Sequence, residues 1–362
     1  MKLRFNFLKK KKFLIFDKVN SQFFLKYLNK NDTEILHCRR EEFNFWILLK
    51  CLFCFKLNYK NYILFYIKKS DPRAVFTLID NNRIFYELKR DLTCKTYSVQ
   101  NGLRTEYEDF FSKEIIKPKN LSCDKIFVWN NKVGQEYHKF IKCKYVSIGS
   151  FKNNIHFHND SNKKDEIIYI STYKNQTFNK KVYKNLTWGE FNRNEKALIE
   201  HIKNFCLANN FSLTVLGRYD EKRGEKDYFI KNFGKDFNFK YIPNSADRLT
   251  YTIPKKFKIA ITIDSTLGYE MLAAGCKVAL IGVRPDIYPF NTRNYLWPNY
   301  QKSKGFYWIN DENIGYEDFA SLLKSLLKKN KEEWDRELKI IREEVINYDP
   351  GNNIFLKETN LI

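Results

Sequence analysis

The sequence predicts an α/β protein built from two doubly wound domains. Three observations carry that reading. Short apolar runs alternate with helix-forming stretches along most of the chain, the pattern of parallel sheets covered by helices. The length, 362 residues, fits two domains of ordinary size. One polar, Asn-rich stretch, Phe151 to Asp165 (FKNNIHFHNDSNKKD), interrupts the alternation and reads as a linker. The expected division is 1–150 for the first domain, 151–165 for the linker, 166–330 for the second domain and 331–362 for a C-terminal helix and tail.

In the first domain, Phe13 to Phe16, Glu34 to Leu36, Val75 to Ile79, Thr96 to Val99, Lys125 to Trp129 and Tyr145 to Ile148 are expected as buried strands. Ser21 to Leu28, Asn82 to Leu88 and Lys132 to Phe140 are expected as helices between them. The second domain opens on a strand, Glu166 to Ser171, followed by a long loop and a helix from about Glu190 to Asn209. Ser212 to Leu216, Phe239 to Ile242, Ile259 to Ile263, Lys277 to Ile281 and Phe306 to Ile309 continue as strands, with a helix over Lys222 to Phe233. Tyr316 to Leu327 and Lys331 to Ile346 are expected as terminal helices, the second with an apolar stripe at helical spacing. No internal repeat at a solenoid period is present.

The most informative stretch is Ile259 to Gly282, IAITIDSTLGYEMLAAGCKVALIG. An apolar strand breaks at Asp264-Ser265-Thr266, a helix follows to Ala274, Gly275 stops it, and a second apolar strand comes next. Ser265 and Thr266 offer hydroxyls beside the free N–H groups of a helix N-terminus, where an anion is favoured. Glu270 lies one turn on, where a carboxylate can hold the two hydroxyls of a ribose. The plainer account is that these residues cap a helix and Glu270 is solvated. Other strand ends are polar too: Ser171-Thr172, Gly217-Arg218 and Pro243-Asn244-Ser245. Ligands of open parallel sheets bind outside the carboxyl ends of the strands. Four such ends in one domain point to a phosphate or nucleotide site.

The 64 basic and 42 acidic residues leave a formal charge of +22, which suits a polyanionic partner such as nucleic acid, anionic lipid or a phosphorylated substrate. Part of the excess belongs to a Lys- and Asn-rich composition. The basic residues spread along the chain, and no helix-turn-helix, RRM or zinc pattern occurs, so no specific nucleic acid is expected. The eight cysteines form no disulfide framework or metal motif and are expected reduced. His156 and His158 alternate within the linker without Cys or carboxylate partners, as exposed loop residues rather than metal ligands. The N-terminus lacks the apolar segment and cleavage site of a signal peptide. Lysines interrupt the aromatic stretch Trp46 to Ile67, which excludes a membrane span. A cytoplasmic protein is expected, adhering reversibly to the inner face of an anionic membrane through its basic, aromatic N-terminal half.

The wording DSTLGYEMLAAGCKVALIG resembles a family of bacterial surface-carbohydrate biosynthesis proteins, including O-antigen and lipopolysaccharide proteins. TLIDNN (Thr77 to Asn82) and YSVQNGLR (Tyr97 to Arg104) look like further blocks of that family. The S-T-x-x-x-E helix is similar to the nucleotide-sugar turn of GT-B glycosyltransferases, including Kdo and sialic acid transferases. The resemblance implies two Rossmann-like domains facing a cleft and a nucleotide-sugar donor bound by Arg218, Ser265, Thr266 and Glu270, with Ser171, Thr172 and Asn244 at neighbouring strand ends. It implies a glycan or lipid-linked glycan acceptor. No cofactor and no metal are expected, because helix N–H groups and basic side chains can stabilise the leaving nucleotide. The Gly-rich loop of many GT-B enzymes is absent, as is a His-Pro pair for a CMP phosphate. UDP, GDP and dTDP sugars stay open.

An inverting transfer needs a carboxylate to deprotonate the acceptor hydroxyl. Asp80, at the end of the strand VFTLI, is the first candidate, with Glu106 and Asp109 as rivals; a plain turn or cap is the other account of Asp80. Gln100 and Asn101 end another strand, and Gly102 permits close backbone approach to the transferred sugar. The leading expectation is therefore a glycosyltransferase. A GT-B-fold epimerase or polyol-phosphate transferase is the second enzyme reading, and a basic nucleic-acid-binding protein the non-enzyme one. Only five His are present, which disfavours an epimerase.

Overall fold

The computed structural model describes residues 2–104, 120–156, 164–173, 181–183, 186–219, 224–244, 249–283 and 304–361. These fall into two compact units. One takes the described residues up to Lys152 together with those from Asn352 onward, and the other takes those from Asn153 to Gly351.

The first unit holds a sheet of six strands: β1 (Phe13–Ile15), β2 (Thr33–Ile35), β3 (Ala74–Thr77), β4 (Lys95–Val99), β5 (Leu121–Val128) and β6 (Ile141–Ser147). All pairs are parallel and the order is β2-β1-β3-β4-β5-β6. The short runs FLI and AVFT are buried at every position, as central strands covered on both faces require. Helices Tyr59–Ser70, Arg83–Leu88 and Asn131–His138 start at Asn58, Asn82 and Asn130, whose side chains accept the N–H two or three residues on. The strand order reverses between β1 and β3, which makes that edge a topological switch point.

Two features of this unit differ from the sequence expectation. Phe151, placed at the start of a linker, is buried and opens a short helix, Phe151–Asn154. The 331–362 segment is divided: helix Lys331–Glu344 lies in the second unit, whereas helix Asn353–Thr359 belongs to the first. Phe355 on that last helix packs its ring against Phe127 and Phe151, with centroids 4.8 and 4.7 Å away. Lys125 Nζ meets Glu358 Oε2 at 2.8 Å. Aromatic burial of this kind outweighs the polar composition of the terminal segment.

The second unit holds β7 (Lys164–Ile170), β8 (Ser212–Leu216), β9 (Lys240–Ile242), β10 (Phe257–Thr262), β11 (Val278–Gly282) and β12 (Trp308–Asn310). They form a parallel sheet in the order β9-β8-β7-β10-β11-β12. Here the order reverses between β7 and β10, and the Thr262 hydroxyl ties the two strands by donating to the Ile170 carbonyl at 2.8 Å. The helix that follows β10, Thr266–Ala273, packs tightly on the sheet. A Cβ at Gly268 would come within 2.5 Å of Thr262 Cγ2, so only glycine permits that approach. Its far end is held by helix Lys331–Glu344: Arg342 donates twice to the Ala273 carbonyl, at 3.0 and 2.8 Å, and Trp334 Nε1 donates to the Gly275 carbonyl. A cation at a helix C-terminus complements the dipole. Among the described residues no helix is long and apolar enough to cross a membrane. All eight cysteines are free.

Candidate functional site

The switch point of the second sheet gathers most of the residues expected to bind a donor. β7 ends in Ser171-Thr172 and its neighbour β10 ends in Asp264-Ser265-Thr266, with Ile170 and Thr262 paired just before the two ends. Ser265 is the N-cap of helix Thr266–Ala273, and its Oγ accepts the Leu267 N–H at 3.3 Å. The capping role is therefore real. Thr266 stands at the first turn, half-buried, and its side chain has no hydrogen-bond partner among the described residues. Ser171 Oγ accepts the Tyr173 N–H at 3.0 Å and shapes the turn after β7. The Thr172 hydroxyl is different: it is buried and has no partner among the described residues. An unsatisfied buried hydroxyl costs about 1–3 kcal/mol, and such groups mark places that a ligand or water completes.

Glu270 is buried, not solvated, at 1% exposure. Its main-chain carbonyl accepts from Asn153 Nδ2 at 2.7 Å, so the helix is fastened at that residue.

Arg218 and Asn244 continue the same edge. Arg218, exposed after β8, reaches the Thr172 carbonyl at 3.5 Å, and Asn244 Nδ2 donates to the Arg218 carbonyl at 2.9 Å. Glu225 organises this loop. It is fully buried, and its carboxylate accepts the Arg218 N–H at 3.0 and 2.9 Å and the Tyr219 N–H at 2.9 Å. Sequence reasoning missed Glu225 because it sits in a charged run, EKRGEKD, that reads as helix surface. The one signal was its place in the first turn of helix Glu225–Phe233, where carboxylates face free N–H groups. Ser245, Glu106 and Asp109 lie outside the described residues.

The corresponding edge of the first unit is organised by carboxylates. Asp80 is wholly buried. Its Oδ1 accepts from Arg104 Nη2 at 2.6 Å and from the Asn101 N–H at 3.0 Å, and its Oδ2 accepts from Arg104 Nε at 2.8 Å and from the Tyr137 hydroxyl. Burial pushes the Asp80 carboxyl up, but the Arg104 charge and these four donors outweigh it and hold it below the usual carboxylate range. The Tyr137 hydroxyl is raised well above its ordinary value by burial and by Asp80. Across the switch point, Asp17 is buried too, paired with Arg39 at 2.7 Å and accepting the Val19 N–H. Gln100, also buried, bridges the Trp129 N–H and the Gly102 carbonyl, each at 2.9 Å. Asn101 is only half-buried, and its Oδ1 accepts from Asn20 at 3.3 Å. His156, expected exposed, is half-buried with its ring stacked on Tyr251; His158 lies outside the described residues.

A family model described as "putative O-antigen biosynthesis protein" matches residues 97–360. The chain belongs to this family. Solved structures share its architecture. The wall teichoic acid polymerase TagF is 11% identical over 97% of this chain and 89% of its own, with a TM-score of 0.54. MnaA of S. aureus, solved with UDP, is 12% identical over 98% of both chains, with a TM-score of 0.51. A "putative UDP-N-acetylglucosamine 2-epimerase" of Listeria monocytogenes is 12% identical over 98% of this chain and 96% of its own, with a TM-score of 0.56. A search of the curated proteins gives no match. The O-antigen family member thus has the GT-B fold, and its field is surface-carbohydrate biosynthesis.

Proposed function

We propose that this protein is a glycosyltransferase that moves a sugar from a nucleotide-activated donor to a surface polysaccharide or lipopolysaccharide acceptor, without a metal ion. The observation that carries the reading is the buried Thr172 hydroxyl at the switch point, which with the Thr266 side chain at the neighbouring helix N-terminus has no partner among the described residues. A phosphate oxygen there would accept from the Thr172 and Thr266 hydroxyls at the positive end of the helix. Arg218, exposed at this edge, supplies the positive charge. As the bond from sugar to phosphate breaks, negative charge grows on the leaving nucleotide, and these fixed donors stabilise it. Glu270 is assigned to the ribose hydroxyls. TagF soaked with CDPG and MnaA with UDP support a nucleotide ligand for this architecture.

On the acceptor side, Asp80 is assigned a positioning role. A general base needs a free lone pair and a pKa near the working pH. Asp80 has neither, and it holds Asn101 and Arg104 in place instead. Asn101, half-buried at that edge, is the residue assigned to the transferred sugar or acceptor, with Gln100 fixing the turn behind it.

A thermal-shift screen against UDP, GDP, CMP, CDP and dTDP tests the reading. A ligand at 100 times its Kd stabilises the fold by about 2.7 kcal/mol. Glu270→Ala is expected to weaken that nucleotide by about 1–3 kcal/mol, the scale of lost bonds to a charged group. No stabilisation by any of the five would reject it. The second reading, polyol-phosphate transfer, is favoured by the likeness to TagF and differs in its product. A sugar donor carrying a nucleoside diphosphate releases the diphosphate, whereas a CDP-polyol releases CMP.

A further inference from the structure

The first unit carries an apolar surface that its fold does not use. Helix Phe45–Phe53 runs into a tip, Leu52 to Leu57 (LFCFKL), in which every residue is exposed. Phe53, Phe55 and Leu57 are 77%, 94% and 69% exposed. Phe5 and Phe7 extend the same surface. Phe7 stacks on Trp46 with centroids 4.2 Å apart, Phe5 packs on Phe45 at 5.3 Å, and Trp46 Nε1 donates to the Phe5 carbonyl at 2.6 Å. Leu3 lies two residues from Phe5; elsewhere among the described residues the large exposed apolar side chains, Val19, Leu207, Ile340 and Ile354, stand singly. Isolated exposure is ordinary, but a contiguous apolar patch marks an interaction site.

The tip is also strained. Lys56 N–H donates to the Cys51 carbonyl and Phe55 N–H to the Leu52 carbonyl, both at 2.9 Å, which is the helix-ending motif that normally places glycine in the left-handed conformation. Phe55 occupies that position with φ of 52°. A bulky residue there is a genuine outlier, and it makes no packing contact in return. The charge nearby is one-sided. From Phe43 to Ser70 there is no Asp or Glu and there are five lysines; Lys50 precedes the tip and Lys56 lies within it. The first 70 residues hold sixteen Lys and Arg against five Asp and Glu, half of the whole chain's excess.

We propose that this surface docks onto an anionic lipid bilayer, with Phe53, Phe55 and Leu57 entering the boundary between headgroups and acyl chains. Trp46 sits at the interface, where an aromatic ring with a polar tip is favoured. Lys50 and Lys56 meet the lipid phosphates, each adding attraction that salt screens. A second copy of the chain fits less well, because it would bring the same lysines to the same place. The attachment is that of a protein lying on a membrane, through an inserted apolar tip joined to a basic rim.

Vesicle flotation tests it, with phosphatidylcholine alone and with about one third phosphatidylglycerol, at low and high salt. The full chain is expected to float with the anionic vesicles and to be released progressively by salt. Lys50→Ala with Lys56→Ala is expected to reduce partitioning about thirtyfold at low salt. Phe55→Gly is the sharper variant. It relieves the left-handed strain, so the melting temperature rises while vesicle binding falls about tenfold or more. A purely structural role for Phe55 would not separate the two. Equal flotation of Phe55→Gly and the native chain overturns the proposal. So does a chain that ignores both vesicle types, whether it sediments as a dimer lost in Phe55→Gly or stays monomeric.

Discussion

Polar residues crowd the carboxyl edge of both sheets, yet they are spent differently. In the first unit the switch point is flanked by Asp17 and Asp80, each closed by an arginine, Arg39 and Arg104. Both carboxylates there are satisfied by donors within the protein. In the second unit the Thr172 hydroxyl is buried without a partner and Thr266 keeps its side chain free among the described residues. Position in the topology alone does not make a site. What separates scaffold from site is whether the polar groups satisfy one another or wait for something else.

Four substitutions break or sharpen that contrast. The largest effect is expected from Asp80→Asn, which leaves the Arg104 guanidinium buried without a countercharge and should cost about 3–5 kcal/mol in urea unfolding. The pH dependence follows from its depressed carboxyl. The stabilisation is fully present above the ordinary carboxylate value, about 3.9, and is lost as pH falls through the lower folded value. The gap between native chain and variant should therefore close in acid. Glu225→Ala comes next, at about 1.5–3 kcal/mol, because the Arg218 and Tyr219 N–H groups lose a charged acceptor. Nucleotide affinity should fall with it, and unchanged affinity would detach Arg218 from the site. Gly268→Ala should cost about 1–3 kcal/mol by overpacking against Thr262 Cγ2, and adding Thr262→Ser, which deletes that methyl, should restore most of the loss. Thr172→Val should change the stability of the free protein by less than about 1 kcal/mol, since it removes an orphaned hydroxyl, while weakening nucleotide binding measured by calorimetry. A large loss of stability instead would mean that the hydroxyl has a partner in the native fold.

The central strands were legible because runs such as FLI, AVFT and VALIG are apolar and buried on both faces, and they stop abruptly at polar residues. The turn at Ser265 was legible for the same reason: three capping residues interrupt an apolar stretch. Glu225 and the Asp80–Arg104 pair were not. Their partners are set by how a loop folds back or by residues 24 positions apart, which leaves no periodic trace in the sequence. Helices Phe45–Phe53 and Tyr59–Ser70 escaped because the aromatic run from Trp46 to Ile67 reads first as an interrupted membrane span, although the second buries Tyr62, Ile63, Tyr66 and Ile67 at helical spacing. The burial of Glu270 was likewise hidden. It depends on a glycine two residues earlier letting the helix sink onto the sheet.

Helix Asn353–Thr359 has a consequence for biosynthesis. Phe355 completes a cluster of rings whose other members, Phe24, Phe76, Phe127 and Phe151, emerge from the ribosome far earlier. At roughly 5–20 residues per second, the interval is on the order of 10–40 s. During it the first unit waits with an open groove where the last helix will lie, while the second unit is synthesised up to Gly351. A released chain ending at Gly351 should therefore yield to protease in its N-terminal part while the later part resists.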